Sequence, residues 1–383
     1  MSKPLKIGFL MPYSGVYPFY AQHITAGFLC AANKMSYGPA DFAFVPVYVG
    51  QGGNKAILEA VQKLVFFDGV DVLIGMISPK IYPEFKPLLE NHNKLGLFFD
   101  FGESVPPDEG YGTHISSLSM RLWQSEYALG QWATKEFGPR GQMISPLYES
   151  GFNLGSSFLS GVGSAGADQL RSVVLQESHA NKDNLDLTYF FNEIAKDAPD
   201  YVHAIFLGQI GNEFLKQWRA SKFNNAIPLI TVENMAYPDM LEDIGHLGLS
   251  FYSASSWSKE HNNGTNTAFV QEFENFGKQQ ANLFGMLGYE AGLILARMKA
   301  RLNMGNVSAA IAEFNQSGTI GPRGVLYFGN DEQQFPVVDI VKINTSNQKN
   351  NATIIAQGTA LGYDTSTVYS ETESGWENPY LSV

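Results

Sequence analysis

The stretch KIGFLMPYSGVYPFYAQHITAGFLCAANKM, residues 6 to 35, packs a buried-type strand, a small-residue turn and an amphipathic helix into one unit. Such a unit starts an α/β domain and fits few other architectures. Ile7, Phe9, Leu10 and Met11 form an apolar run suited to a strand covered on both faces, and Pro12 stops it. The turn then falls on Tyr13, Ser14 and Gly15. In open α/β sheets, ligands bind outside the carboxyl ends of the strands, so Ser14 is well placed for recognition. Tyr20, opening the helix, would face the same crevice. A plainer role for Ser14, as a helix cap, stands beside that one on local grounds.

The rhythm continues. Strand-like runs at 5 to 11, 42 to 49, 71 to 75 and 95 to 99 alternate with helical segments at 19 to 35, 54 to 68 and 81 to 92. In the second helix Ala56, Ile57, Ala60, Val61, Leu64 and Val65 recur at helical spacing. Strands alternating with helices of this length imply a parallel sheet. After HISSLSM, residues 114 to 120, the pattern restarts and runs through a strand at 227 to 232, a second complete α/β domain. The segment 249 to 257 reads as a strand carrying the chain onward, and helices at 267 to 280, 284 to 302 and 307 to 316 would return to cover the first sheet. A late strand at 337 to 343 would cross back to the second. The expected division is 1–117 plus 251–329 for the first lobe and 118–250 plus 330–358 for the second. Residues 359–383 would form a tail wrapped on the surface, anchored by Trp376, Pro379 and Tyr380.

A chain of 383 residues suits two domains. With 37 acidic against 25 basic residues, a net charge of −12, electrostatic binding to nucleic acid or an anionic membrane is disfavoured. Cys30 is the sole cysteine, so there is neither a disulfide framework nor a cysteine-based zinc site, and its apolar surroundings mark a core residue. No stretch reaches the apolar length of a membrane span. The beginning, MSKPLKIGF, has no h-region. That leaves a cytoplasmic chain, or one whose secretory signal has been removed and replaced by a start codon.

Catalytic signatures are missing: there is no HExxH, GxxxxGK[ST], GxSxG or CxxC. No catalytic, metal-binding or cofactor-binding set is expected, and the chain reads as a binding protein, not an enzyme. His203, in the apolar strand YVHAIFLG, suits a satisfied sheet position. GFNLGSS, residues 151 to 157, opens a helix but matches no phosphate-loop template. The Asn-x-Ser/Thr sequences at Asn263, Asn306, Asn315, Asn344 and Asn351 matter as glycan acceptors only in a eukaryotic secretory setting. More informative are polar residues just past strand ends. Ser78 follows one strand at a helix start, Gly102 and Ser104 follow another in the same way, and Glu233 lies at the tip of the strand at 227 to 232. Singly, each is an ordinary cap or turn residue. Together they suggest a zwitterion site, with Glu233 for an ammonium and the Ser and Gly groups for a carboxylate.

With these residues in view, the chain resembles the type I periplasmic solute-binding proteins of ABC transporters, the branched-chain amino acid-binding family, from about Lys6 to Ile343. PYSGVYPFY is similar to that family's P-x-S-G turn with a following aromatic, here Tyr20. DVLIGMISP is similar to its strand ending in a ligand-contacting serine, here Ser78, and LGLFFDFGES to its carboxylate-holding loop, here Gly102 and Ser104. TVEN resembles the late loop whose carboxylate meets the ligand ammonium, here Glu233. Phe152 stands where a pocket tyrosine is usual, Ile210 where an aromatic is common, and Glu103 adds an acid beside the supposed carboxylate site. An inward Glu103 would favour a ligand with a second cationic or amide group. The resemblance implies two Rossmann-like lobes with parallel sheets, joined by three hinge crossings and closing over the ligand. It also implies an extracytoplasmic monomer that hands an amino acid or related amide to an ABC membrane permease. A sensory or regulatory module for a small amide or amino acid is the alternative on the same fold.

Overall fold

The computed structural model describes residues 3–106, 110–181, 184–329, 338–346, 350–358, 376 and 378–381. The first lobe begins β1 Leu5–Met11, α1 Tyr20–Lys34, β2 Phe42–Tyr48, α2 Asn54–Phe66, β3 Val72–Met76, α3 Tyr82–Asn91, β4 Leu95–Asp100 and β5 Ile115–Ser119. Its five strands are parallel in the order β2-β1-β3-β4-β5. Of the stripe on α2, Ile57, Ala60, Val61, Leu64 and Val65 are buried, whereas Ala56, on the first turn, is exposed.

The second lobe follows with α4 Leu122–Phe137, β6 Arg140–Pro146, α5 Leu154–Ser164, β7 Gln169–Leu175, the short β8 Ala180–Asn181 and β9 Asn184–Leu185, then α6 Thr188–Lys196 and β10 Tyr201–Ala204. It continues with α7 Gly208–Ala220, β11 Leu229–Thr231, α8 Pro238–Leu241 and β12 Ser250–Ser255. Strands β7-β6-β10-β11-β12 are again all parallel, and their order repeats that of the first sheet. The chain then supplies α9 Gly264–Gly277, α10 Leu283–Asn303, α11 Val307–Gln316 and the hairpin β13 Ile320–Gly321 with β14 Gly324–Val325. Finally β15 Asp339–Asn344 and β16 Asn351–Gln357 extend the second sheet. These two run antiparallel, so that sheet is parallel only as far as β12.

Two crossings lie later than the sequence suggests. HISSLSM looks like a linker because serines interrupt its apolar residues, yet β5 pairs with β4 as the last strand of the first sheet. The chain therefore leaves the first lobe after Ser119. Strand β12 pairs with β11 and β15 in the second sheet, so the return follows Ser255 and does not precede residue 251. In both cases the fifth strand of the parallel set finishes at its carboxyl end before the chain changes lobe. The third expected crossing, near 330, falls outside the described residues.

Helix α10 is buried along almost its whole length and lies against α1 through glycines. A Cβ at Gly27 would run into the Gly285 carbonyl, one at Gly288 into the Ile24 carbonyl and one at Gly292 into the Phe28 carbonyl. The two backbones touch because no side chain separates them. Asn263 and Asn306, two of the Asn-x-Ser/Thr positions, serve as N-caps, accepting from Thr265 and Asn266 and from Ala309 respectively.

Candidate functional site: the cleft between the lobes

Loops leaving the carboxyl ends of strands in both sheets face one another, and the lobes touch. Asn153 N–H donates to the Glu103 carbonyl at 2.8 Å, and Val105 N–H to Asn153 Oδ1 at 3.2 Å. Gly208 abuts Val16 so closely that a Cβ there would lie 3.0 Å from its Cγ2. The cleft is closed.

From the first lobe, Ser14 holds its own turn and does not cap α1, which starts at Tyr20 without a side-chain cap. Its Oγ accepts from Tyr17 N–H at 2.9 Å, fixing the turn, and donates to the Leu381 carbonyl at 2.9 Å inside the cleft. Tyr20 differs from expectation: its hydroxyl donates to the Pro12 carbonyl at 2.8 Å and its ring packs on Phe284, so it braces the loop from beneath. Ser78 is buried before a 3-10 turn that leads into α3, and nearby Lys80 Nζ donates to the Trp376 carbonyl at 3.0 Å.

Gly102 holds φ at +73°, where a Cβ would run into the Arg121 backbone. Its N–H, expected to meet a ligand carboxylate, is taken by Asp100 Oδ1 at 2.7 Å, and Ser117 Oγ donates to Asp100 Oδ2. The Phe101 and Gly102 carbonyls accept from Leu122 and Trp123 N–H at 2.9 and 2.8 Å, so this loop seats the start of α4. No helix begins after Ser104 in the described chain, contrary to the reading of DFGES. Glu103 Oε2 and Ser104 Oγ are buried with no hydrogen-bond partner among the described residues. Burial, with the neighbouring Asp100 carboxylate adding, pushes Glu103 up to about 8.

From the second lobe, β6 runs into the turn Leu147–Gly151, which presents Tyr148 and Glu149, followed by Phe152. Between the lobes lies Tyr380, only 1% exposed. Its hydroxyl donates to the Glu149 carboxylate, with oxygens at 2.8 and 3.0 Å, and accepts from Asn234 Nδ2 at 3.4 Å. Around its ring stand Phe152 at 4.9 Å, Phe101 at 5.7 Å and Tyr148 at 6.4 Å. Trp376 stacks on Tyr148 and donates Nε1–H to the Tyr148 carbonyl at 2.8 Å; a Cβ at Gly151 would run into its indole. Burial pushes Glu149 up to about 8, the Tyr380 bond working against it and the Glu126 and Glu103 charges with it. Of the expected anchors, Tyr380 enters the cleft and Pro379 is buried beside it, while Trp376 stays exposed against Tyr148. Phe152 packs edge-on against the Tyr380 ring. Ile210 is half-buried on the first turn of α7 against the core.

At the hinge, Glu233 Oε1 accepts Ser256 N–H at 2.7 Å and Ser256 Oγ at 2.8 Å, and Oε2 accepts Ser125 Oγ at 2.9 Å. Burial raises its pKa while these bonds and Arg323 lower it. Arg323 pairs with buried Glu290 at 2.7 Å and donates to the Ser119 carbonyl at 2.7 Å, tying α10 to the first crossing. The hydroxyl of Tyr237, near Glu233, and that of its neighbour Tyr17 are buried without a partner among the described residues. His203 lies in β10 as expected but only one ring nitrogen is paired: Nε2 lies 2.6 Å from Glu126 and the ring stacks on Phe158, while Nδ1 is buried without a partner among the described residues. No group of three His, Cys, Asp or Glu among the described residues is placed to hold a metal ion.

A family model described as periplasmic binding protein matches residues 4–370, and the chain belongs to that family. Its fold is that of an ABC transporter substrate-binding protein from Sphaerobacter thermophilus, at TM-score 0.75 and 16% identity, with 92% of this chain and 97% of that one covered. A solute-binding protein of an ABC transporter from Rhodopseudomonas palustris BisB5, in complex with 3,4-dihydroxybenzoic acid, superposes at TM-score 0.71 and 18% identity over 94% of this chain and 98% of that one. A leucine-binding protein from Thermotoga maritima does so at TM-score 0.67 and 16% identity over 92% and 98%. No curated protein matches the sequence. Family and fold are those of solute-binding proteins, which are not enzymes. No helix among the described residues is long and apolar enough to cross a membrane.

Proposed function

We propose that this protein is an extracytoplasmic receptor that captures an amino acid or related small molecule between its lobes and presents it to an ABC membrane permease. One observation carries the reading. The segment lying in the closed cleft accepts hydrogen bonds from the first lobe, at Ser14 and Lys80, and donates one to a carboxylate of the second, at Glu149. A zwitterion matches that polarity, its carboxylate toward Ser14, Ser78 and Lys80 and its ammonium toward the acids. Glu103 and Ser104 offer unpartnered polar atoms to the same solute. A carboxylate has about four acceptor sites, so Glu233, with three donors already bound, keeps room for an ammonium.

The test is a thermal-shift screen of amino acids, amides, carboxylates and sugars. A solute at about 100 times its dissociation constant adds about 2.7 kcal/mol of stability. Glu233→Gln should weaken an amino acid by about 2 to 5 kcal/mol if the ammonium is buried against it. Unchanged affinity would remove Glu233 as the anchor, and hits confined to sugars would overturn the zwitterion assignment.

A further inference from the structure

The ring of Tyr380 sits in a chamber whose walls come from both lobes: Phe101 from the first, Tyr148 and Phe152 from the second. Its oxygen uses both of its capacities, giving its hydrogen to Glu149 and accepting one from Asn234. Tyr380 is the only side-chain partner of the Glu149 carboxylate among the described residues. A chamber that offers three rings to a ring, an acceptor to its hydroxyl hydrogen and a donor to its hydroxyl oxygen is specified for a phenol. The peptide around it is held as a guest between the lobes would be, by Ser14 and Lys80 on one side and Glu149 and Asn234 on the other.

We propose that the pocket around Tyr380 is a subsite for a phenolic ring of the solute, and that Tyr380 occupies it until such a solute displaces it. The proposal rests on the receptor reading and narrows its ligand class. An incoming phenol replaces both hydrogen bonds, whereas a plain aromatic ring leaves Glu149 and Asn234 unpaired in a buried site. A tethered competitor acts at an effective concentration of about millimolar, so the chain's own tyrosine weakens any phenol that must compete with it.

The experiment is calorimetric titration of the full chain and of Tyr380→Ala with p-cresol, with toluene as the ring lacking a hydroxyl. Tyr380→Ala should bind p-cresol at least tenfold more tightly than the unsubstituted chain does, and at least tenfold more tightly than it binds toluene. Equal p-cresol affinity in the two chains, or equal affinity for p-cresol and toluene, overturns the proposal. Should Tyr380→Ala fail to fold, Tyr380→Phe keeps the ring and removes only the hydroxyl. Added p-cresol should then displace the segment more readily than in the unsubstituted chain, shifting emission to the red through exposure of Trp376. No shift in either chain overturns the proposal. Amino acids titrated into the same variants separate the two readings: amino acid binding without p-cresol binding removes the subsite alone, and silence to every solute removes the receptor reading with it.

Discussion

Glu233 and Glu149 are both buried glutamates where the lobes meet, and both have pKa values raised by burial, yet different parts of the molecule satisfy them. Glu233 takes three hydrogen bonds from Ser125 and Ser256, residues fixed on α4 and at the end of β12. Glu149 takes its bond from Tyr380, on a segment that enters the cleft from outside either sheet. The hinge acid is therefore part of the scaffold before any ligand arrives, while the cleft acid depends on whatever fills the space beside it. A buried carboxylate with fixed donors holds geometry, and one without them selects an occupant.

Three measurements can break or sharpen that contrast. The largest effect belongs to Glu233→Ala, which strands three donors in a dry site and should cost about 3 kcal/mol in denaturant unfolding without added solute. A loss under about 1 kcal/mol would show that the hinge does not depend on it.

Next comes pH. The folded protein keeps a proton on Glu149 that the unfolded chain releases above its ordinary value of 4.5, up to the folded value of about 8. Its contribution to stability is then complete below pH 4.5 and lost as pH rises toward about 8. Glu103 acts in the same direction over the same interval. Thermal unfolding should show stability falling across this range, and Glu149→Gln should flatten the slope by an amount on the order of 2 kcal/mol. An unchanged slope would place Glu149 in contact with water. The smallest effect is Ser14→Ala, which removes the bonds to Leu381 and Tyr17 and should lower stability by about 1 kcal/mol. A larger loss would make the turn at Ser14 as structural as the hinge.

The lobes were legible because covered strands read as apolar runs and their helices as stripes, a signal that needs only local sequence. The crossings were blurred where serines of β5 take polar roles inside a sheet, as Ser117 does with Asp100. Ser14, Ser78, Ser104 and Glu233 stand out because loops after parallel strands face one crevice, and Phe152 and Glu103 only through the family resemblance. Tyr148 and Glu149 sit in the turn just after β6, where nothing in LYESG distinguishes them from ordinary turn residues. Tyr17, Phe101 and Asn234 read as ordinary loop residues, and only the fold brings them together. Tyr380 was singled out as an anchor, but a segment without periodicity does not indicate which surface it meets.

The glycine seam between α1 and α10 bears on how the molecule is built. The first sheet is complete by Ser119, yet the helix that covers it through Gly285, Gly288 and Gly292 begins only at Leu283. At ordinary ribosomal speeds that interval is on the order of ten seconds. All of α4 through β12, the main part of the second lobe, is synthesised in the meantime. The lobe whose sheet is translated first thus waits for its covering helix until most of the other lobe has been made. Until α10 arrives, α1 presents a bare backbone groove that only a helix with glycines at matching intervals can fill.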